Sequence, residues 1–271
     1  MSVPKKKVTK IVIVAFLMLC VGYIYNEDSK LSRFLSSSKD NDKEEGTSSP
    51  NLSHVDRIYY INMDHRTDKQ DWMESWLEPF SKKYSIPYYR ISGKRGDPDH
   101  DDCGSRPLGN CMAVNGLIYS NFEIMDNHNT TGITIVLEDD YEIKDYPKLL
   151  KSLSMAPDDW DVIRFDLWQG PHGNFPRIDM GDLGNGFQTV SPPEESQHHC
   201  GGTHITVWRG DKVDKLHKHW DSHPRLGVDC RLAADNITSY ALMTGVGALK
   251  RGMGGDIPHF RRLGLGAFDY K

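Results

Sequence analysis

Residues 133–143 read ITIVLEDDYEI: five aliphatic or β-branched residues run directly into three acids, Glu138, Asp139 and Asp140. An apolar run of this length, rich in β-branched side chains, predicts a buried strand. The acids then stand at its carboxyl end. Adjacent like charges repel, so something is expected to compensate them there.

The neighbouring segments place that strand in a sheet. Residues 57–63 (RIYYINM) and 86–91 (IPYYRI) predict two more strands. Between them, residues 67–84 carry Trp72, Trp76, Leu77 and Phe80 at helical spacing, and this aromatic set reads as core. Residues 110–125 predict a second helix, with Met112, Leu117 and Ile118 among its apolar positions. Strand, helix, strand, helix, strand at this spacing argues for an α/β domain with a parallel sheet. In open sheets of that kind ligands bind beyond the carboxyl ends of the strands, which makes the 138–140 acids the edge of a site. Downstream, residues 161–166 (DVIRFD) and 204–208 (HITVW) predict strands, and 211–220 a short helix. Residues 93–107 are a loop by composition. Residues 167–199, rich in Gly and Pro, are long for a structureless connection and are expected to form a functional lid.

Charge and composition set the context. With 38% hydrophobic and 26% charged residues the chain is globular with polar extensions, and a net charge of −5 gives no reason to expect nucleic-acid binding. Lys5, Lys6, Lys7 and Lys10 precede an uncharged apolar run over residues 11–25, and NEDSK follows it. Basic before and acidic after orients such a run with its carboxyl side away from the cytosol. Fifteen residues reach only about 22 Å against a core of roughly 30 Å, which snorkelling lysines and thin early secretory membranes accommodate. The other reading is a cleaved signal peptide, although no A-x-A pattern is present. Residues 26–54 are rich in Ser, Asp, Lys and Glu and predict a flexible stem. The expected organisation is a cytosolic tip over 1–10, a type II signal anchor over 11–25, a stem over 26–54 and a catalytic domain over 55–271. Sequons begin at Asn51, Asn129 and Asn236. Cys103, Cys111, Cys200 and Cys230 allow two disulfides in three connectivities, or four buried thiols.

Carboxylates are hard oxygen ligands for Mg²⁺, Mn²⁺ or Ca²⁺. Glu138 and Asp140, two apart, project to one side of an extended backbone, with Asp139 opposite. A divalent ion there relieves their repulsion and leaves positions open for a phosphate. The alternative is an acidic pair that caps a helix or solvates a loop. His198, His199 and His204 invite a zinc reading, but without convincing ligand spacing; His217 and His219 are two apart on a helix and share no face.

RIYYINMDHRTDK (57–69), the helix near Asn110, IVLEDDYEI (135–143), WDVIRFD (160–166), CGGTHITVWRGDKVDKL (200–216) and GVDCRL (227–232) occur in one order. In these blocks the chain resembles glycosyltransferase family 25, which includes lipooligosaccharide and procollagen galactosyltransferases. The resemblance spans about residues 55–235. It implies a GT-A type nucleotide-diphosphosugar transferase fold, a UDP-sugar donor and Mn²⁺ (or Mg²⁺). It implies Glu138 and Asp140 as metal ligands, and Asn62, Asp64, Arg66 and Asp139 near the donor nucleotide. Asp229 matches a late acid and is assigned as the base that deprotonates an acceptor hydroxyl, ahead of Asp166 and Asp256.

The chain departs from the family in two places: Val114-Asn115 stand where a Ser-His pair is common, and His65 stands at a basic position. The implied activity is transfer of a hexose, galactose or glucose, to a glycan or protein hydroxyl in the Golgi or ER lumen, with inversion. Trp168 is a candidate platform for the acceptor. A catalytically inactive lumenal binding protein of the same fold is the alternative; a Ca²⁺-dependent lectin is a third reading.

Overall fold

The computed structural model describes residues 54–97, 108–129, 131–166, 180–182, 186–190, 202–221, 227–233, 236–242 and 244–250. The chain divides into Met1–Ser48 and Ser49–Lys271, and all described residues belong to the second unit. The expected anchor and nearly all of the stem, Cys103, Cys200, Trp168, His198, His199 and Asp256 lie outside the described residues. Among the described residues no helix is long and apolar enough to cross a membrane.

The first half follows the predicted alternation. β1 (Val55–Asn62), α1 (Thr67–Tyr84), β2 (Tyr88–Ser92), α2 (Leu108–Asp126) and β3 (Ile133–Glu138) come in that order. β1 pairs in parallel with β2 on one side and β3 on the other. A short β4 (Tyr141–Ile143) leads to α3 (Tyr146–Leu153), started by Asp145, whose side chain accepts from Lys148 N at 3.0 Å. β5 (Val162–Phe165), β6 (Met180–Asp182), β7 (Gln188–Val190), β8 (Ile205–Arg209), a 3₁₀ turn (Gly210–Lys212), α4 (Val213–Asp221), α5 (Val228–Arg231), β9 (Ser239–Leu242) and β10 (Gly247–Leu249) complete it.

Eight strands form one sheet in the order β2-β1-β3-β8-β5-β9-β7-β6, and β10 pairs with β4 in a second. β2, β1, β3, β5, β9 and β6 run one way; β8 and β7 oppose them. The fold is therefore α/β with a mostly parallel, mixed sheet. Two features correct the sequence expectation. β8 is inserted antiparallel between β3 and β5, in the middle of the sheet. The segment 167–199 also contains β6 and β7, so it is not wholly a loop; its other residues, apart from 186–187, lie outside the described set.

Alternate residues of each strand feed two cores, one on each face. Ile58, Tyr60, Ile135, Leu137, Ile163 and Val207 pack with Met73 and Leu77 of α1 and Leu149 and Leu153 of α3. Tyr59, Ile61, Val136, Val162 and Trp208 pack with Ile118 and Ile124 of α2, Leu216 and Trp220 of α4, and Val228 of α5. Helices on both faces explain why β3 and β8 carry continuous apolar runs, since neither side meets water. Trp72, Trp76 and Phe80 pack half-buried against the first core. α2 lies close on the segment after β2: a Cβ on Gly116 would meet Lys94 O at 2.2 Å, and Lys94 N donates to Ser120 Oγ at 2.9 Å.

Candidate functional site

At the end of β3 the pleat sends the acids to opposite sides. Asp139 points to the α1 face. Lys69 Nζ lies 2.6 Å from its Oδ1, and Asn62 Nδ2 donates to its Oδ2 at 2.9 Å. Both charges of the pair are buried. Burial pushes the Asp139 carboxyl above its ordinary pKa, against the pull of Lys69 and Asn62.

Glu138 and Asp140 face the other way, and β8 supplies their companion. β3 and β8 pair antiparallel with Leu137 opposite Ile205, and the ladder extends one step further, Glu138 N donating to His204 O at 3.0 Å. Residues opposite each other in such a pair share a face, so His204 must stand beside Glu138. His204 Nδ1 lies 3.3 Å from Glu138 Oε2 and 3.4 Å from Asp140 Oδ1. One ligand atom from each of the three residues lies within 4.8 Å of the others. Thr203 Oγ1 donates to the second Glu138 oxygen. On the far side, Lys250 N donates to Asp140 O at 2.6 Å, where β10 pairs with β4 and fixes the turn.

Burial disfavours charge on His204, but Glu138 and Asp140 together outweigh it and hold its pKa well above the ordinary histidine value. The imidazolium in turn holds the Asp140 carboxyl below its usual range against the effect of burial. The opening repulsion is thus countered on both faces, by Lys69 on one and on the other by His204, whose affinity for a proton the two carboxylates raise. Two carboxylates and an imidazole also suit a divalent cation. Asp140 Oδ1 and His204 Nδ1 are buried atoms whose nearest polar neighbours are each other and Glu138, so a divalent cation taking the place of the His204 proton would find both within reach as ligands. A small cavity lined by Leu117, Asn121, Val136, Glu138, Thr203 and Thr206 adjoins the cluster.

The residues assigned to the nucleotide separate into two kinds. Asn62 is fully engaged: besides Asp139, its Nδ2 donates to Arg66 O at 3.1 Å and its Oδ1 accepts from Arg90 Nε at 3.0 Å. Arg66 forks onto Asp68, with both bonds at 2.9 Å. Together with Asp139 these residues build the inner frame. Asp64 alone of the four presents an open carboxylate, its side chain 72% exposed, held by Arg90 Nη2 at 2.5 Å and Ser92 Oγ at 2.9 Å. Those two bonds, Arg90 first, keep its pKa below the usual carboxylate range.

Asp229, on α5, lies on the same face of the sheet as the cluster. Its Oδ1 accepts from Cys230 N at 3.1 Å and its Oδ2 from Gly202 N at 3.5 Å, next to Thr203. Its carbonyl accepts from Arg164 Nη1 at 3.0 Å. Burial lowers the Arg164 pKa to about 10 against the charge of Asp229. Asp166 is committed to structure. Tyr141 OH donates to its Oδ2 at 2.6 Å, and Thr244 N and Gly245 N donate to its Oδ1 at 3.1 and 2.7 Å.

Sequence reasoning missed Lys69 and Thr203 and weighed His204 only as a zinc ligand beside His198 and His199, not as a partner of Glu138 and Asp140. Lys69 had a signal: it falls in helical register with Met73 and Leu77, a charge on an apolar face. The pairing of His204 with Glu138 and Asp140 had none, because it depends on β8 running against β3.

No protein-family model matches the chain, and no curated protein matches it. Among solved structures it is similar to a glycosyltransferase involved in the glycosylation of the major capsid of PBCV-1, at 10% identity and a TM-score of 0.34. That match covers 63% of this chain and 66% of the other, just under two thirds. It is also similar to mannose-1-phosphate geranyltransferase from Thermus thermophilus, at 9% identity and a TM-score of 0.40, covering 70% and 73%. Likenesses this loose assign no activity.

Proposed function

We propose that the chain is a lumenal, metal-dependent glycosyltransferase of GT-A type. It moves a hexose, galactose or glucose, from a UDP-sugar to a hydroxyl of a glycan or glycoprotein, with inversion. The observation that carries this reading is the Glu138–Asp140–His204 cluster at the carboxyl end of a central strand. The ordered blocks that resemble those of family 25 add support. Cys111 and Cys230, each part of a disulfide, fit an oxidising compartment.

In this reading Glu138, Asp140 and His204 hold Mn²⁺ or Mg²⁺. When bound, the ion supplies a Lewis acid that offsets charge on the departing diphosphate. Lys69, Asp139 and Asn62 fix the turn that carries two of the ligands, from the opposite face. Asp64 is the member of the assigned nucleotide set with a carboxylate open to the donor. Asp229 accepts the proton of the attacking hydroxyl, a role that requires hydrogen-bond reach of the acceptor. The inactive alternative draws on one observation: Asn115, where the family commonly has part of a Ser-His pair, is buried and donates to Cys111 Sγ at 3.5 Å, a structural use.

The test is a donor screen. The purified protein is incubated with each UDP-sugar and Mn²⁺, and UDP release is followed. Turnover that is lost with a chelator and in Asp140→Ala and His204→Ala is the expected result. UDP binding without turnover in any donor identifies the inactive binding protein. Glycan binding without UDP binding identifies the lectin. Failure of both UDP binding and turnover ends the enzyme reading.

A further inference from the structure

The asparagines of two of the three sequons, Asn129 and Asn236, are described residues, and the topology brings them to one end of the sheet. Asn129 follows α2 and precedes β3; Asn129 and Thr131 are exposed. Asn236 precedes β9; it too is exposed, with Ile237 buried beneath it and Thr238 half-buried. β3, β5 and β9 run in the same direction, so both sequons sit at the amino ends of their strands. Backbone hydrogen bonds tie that end together. Gly210 N donates to Gly132 O at 2.7 Å, Arg209 N to Asp161 O at 3.3 Å, and Asp161 N to Thr238 O at 2.9 Å. The Glu138–Asp140–His204 cluster lies at the other end, separated by the length of β3, about 20 Å for six residues.

Three other asparagines, Asn62, Asn115 and Asn121, are buried, and their amides serve neighbouring groups inside the fold; Asn127 is exposed but lies outside any sequon and donates to Glu123 O at 2.7 Å. The two sequon asparagines are instead presented outward on connections, the surface setting this modification requires. An independent observation agrees with the compartment. Cys111 and Cys230 are disulfide-bonded, a state kept in oxidising compartments such as the ER lumen.

We infer that Asn129 and Asn236 both carry N-linked glycans, making the amino end of the sheet a glycosylated pole opposite the candidate site. The inference rests on the lumenal part of the proposed function and not on its transfer chemistry. In the modification, Asn Nδ2 forms a bond to the anomeric carbon of an oligosaccharide carried on a lipid diphosphate. The bond from that carbon to the diphosphate oxygen breaks, the amide gives up one proton, and the lipid diphosphate departs. Glycans placed this way cover the strand starts without standing over the metal-ligand cluster.

The full chain is expressed in cultured eukaryotic cells and digested with peptide N-glycosidase, and Asn-to-Asp conversion is mapped by mass spectrometry. Conversion at both Asn129 and Asn236 is expected. Asn129→Gln and Asn236→Gln should each remove one step of gel mobility and leave donor turnover within about twofold. Asp140→Ala should keep both glycans whatever happens to turnover, so failure of the transferase reading is visible separately. Three outcomes overturn the inference: a chain with oxidised cysteines and neither asparagine modified, a chain with reduced cysteines and no glycan, or modification of only one of the two sites.

Discussion

His204 shows how much a single side chain can decide at this site. Glu138 and Asp140 both approach its Nδ1, at 3.3 and 3.4 Å, and together they raise its affinity for a proton. His204→Ala removes both the imidazolium and a nitrogen ligand. Manganese affinity, measured by titration calorimetry, should fall by more than the ~10–100-fold typical of losing an outer-shell partner. Lys69 plays the converse part. Lys69→Met leaves the Asp139 carboxylate buried without its cation, which costs about 3–5 kcal/mol. Lys69→Met combined with Asp139→Asn should recover much of that loss, because a neutral amide tolerates the site. Denaturant melts of the two single variants and the double variant give the coupling directly. Neither role was readable from the acids alone. The sequence supplied the alternation that puts Glu138 and Asp140 on one side, but which cation faces them depends on strands far apart in the chain.

At the level of elements, the clearest prediction concerns the link between β5 and the β4–β10 pair. Asp166 holds a left-handed backbone, with φ of 49°, and accepts from Tyr141, Thr244 and Gly245. Asp166→Ala leaves these donors unmet, at about 1–3 kcal/mol for each one that is buried. Asp166→Asn keeps a residue that tolerates this conformation and retains an acceptor, so its melting temperature should fall less. Gly116→Ala tests the docking of α2. Alanine favours helix, yet its Cβ would meet the Lys94 carbonyl at 2.2 Å, so a loss of about 1–3 kcal/mol is expected by thermal melting. The elements that were legible are those with a strong period. α1 begins and ends where the pattern places it, and β1, β2, β3, β5 and β8 fall on their predicted segments. β4, β9 and β10 are three- and four-residue strands with no periodic signal. The direction of β8 was hidden because a strand buried on both faces reads the same whichever way it runs.

For the molecule as a whole, disulfide bonding of Cys111 in α2 and of Cys230 in α5 ties both helices covalently into the fold. Reduction should cost about 2–5 kcal/mol per bridge and lower Tm by roughly 4–20 °C, read by calorimetry with and without reductant. The position of β8 has a further consequence, for biosynthesis. During translation β3 leaves the ribosome with one edge paired to β1 and the other open, because the strand that covers it comes after residue 204. At ~5–20 residues per second that apolar edge waits several seconds in the nascent chain. Neither the centre of the sheet nor the three-residue cluster exists until β8 is inserted between strands already made. Assembly of the site is therefore a late, long-range closure, and the half-made polypeptide is the species with an unpaired apolar edge open to wrong partners.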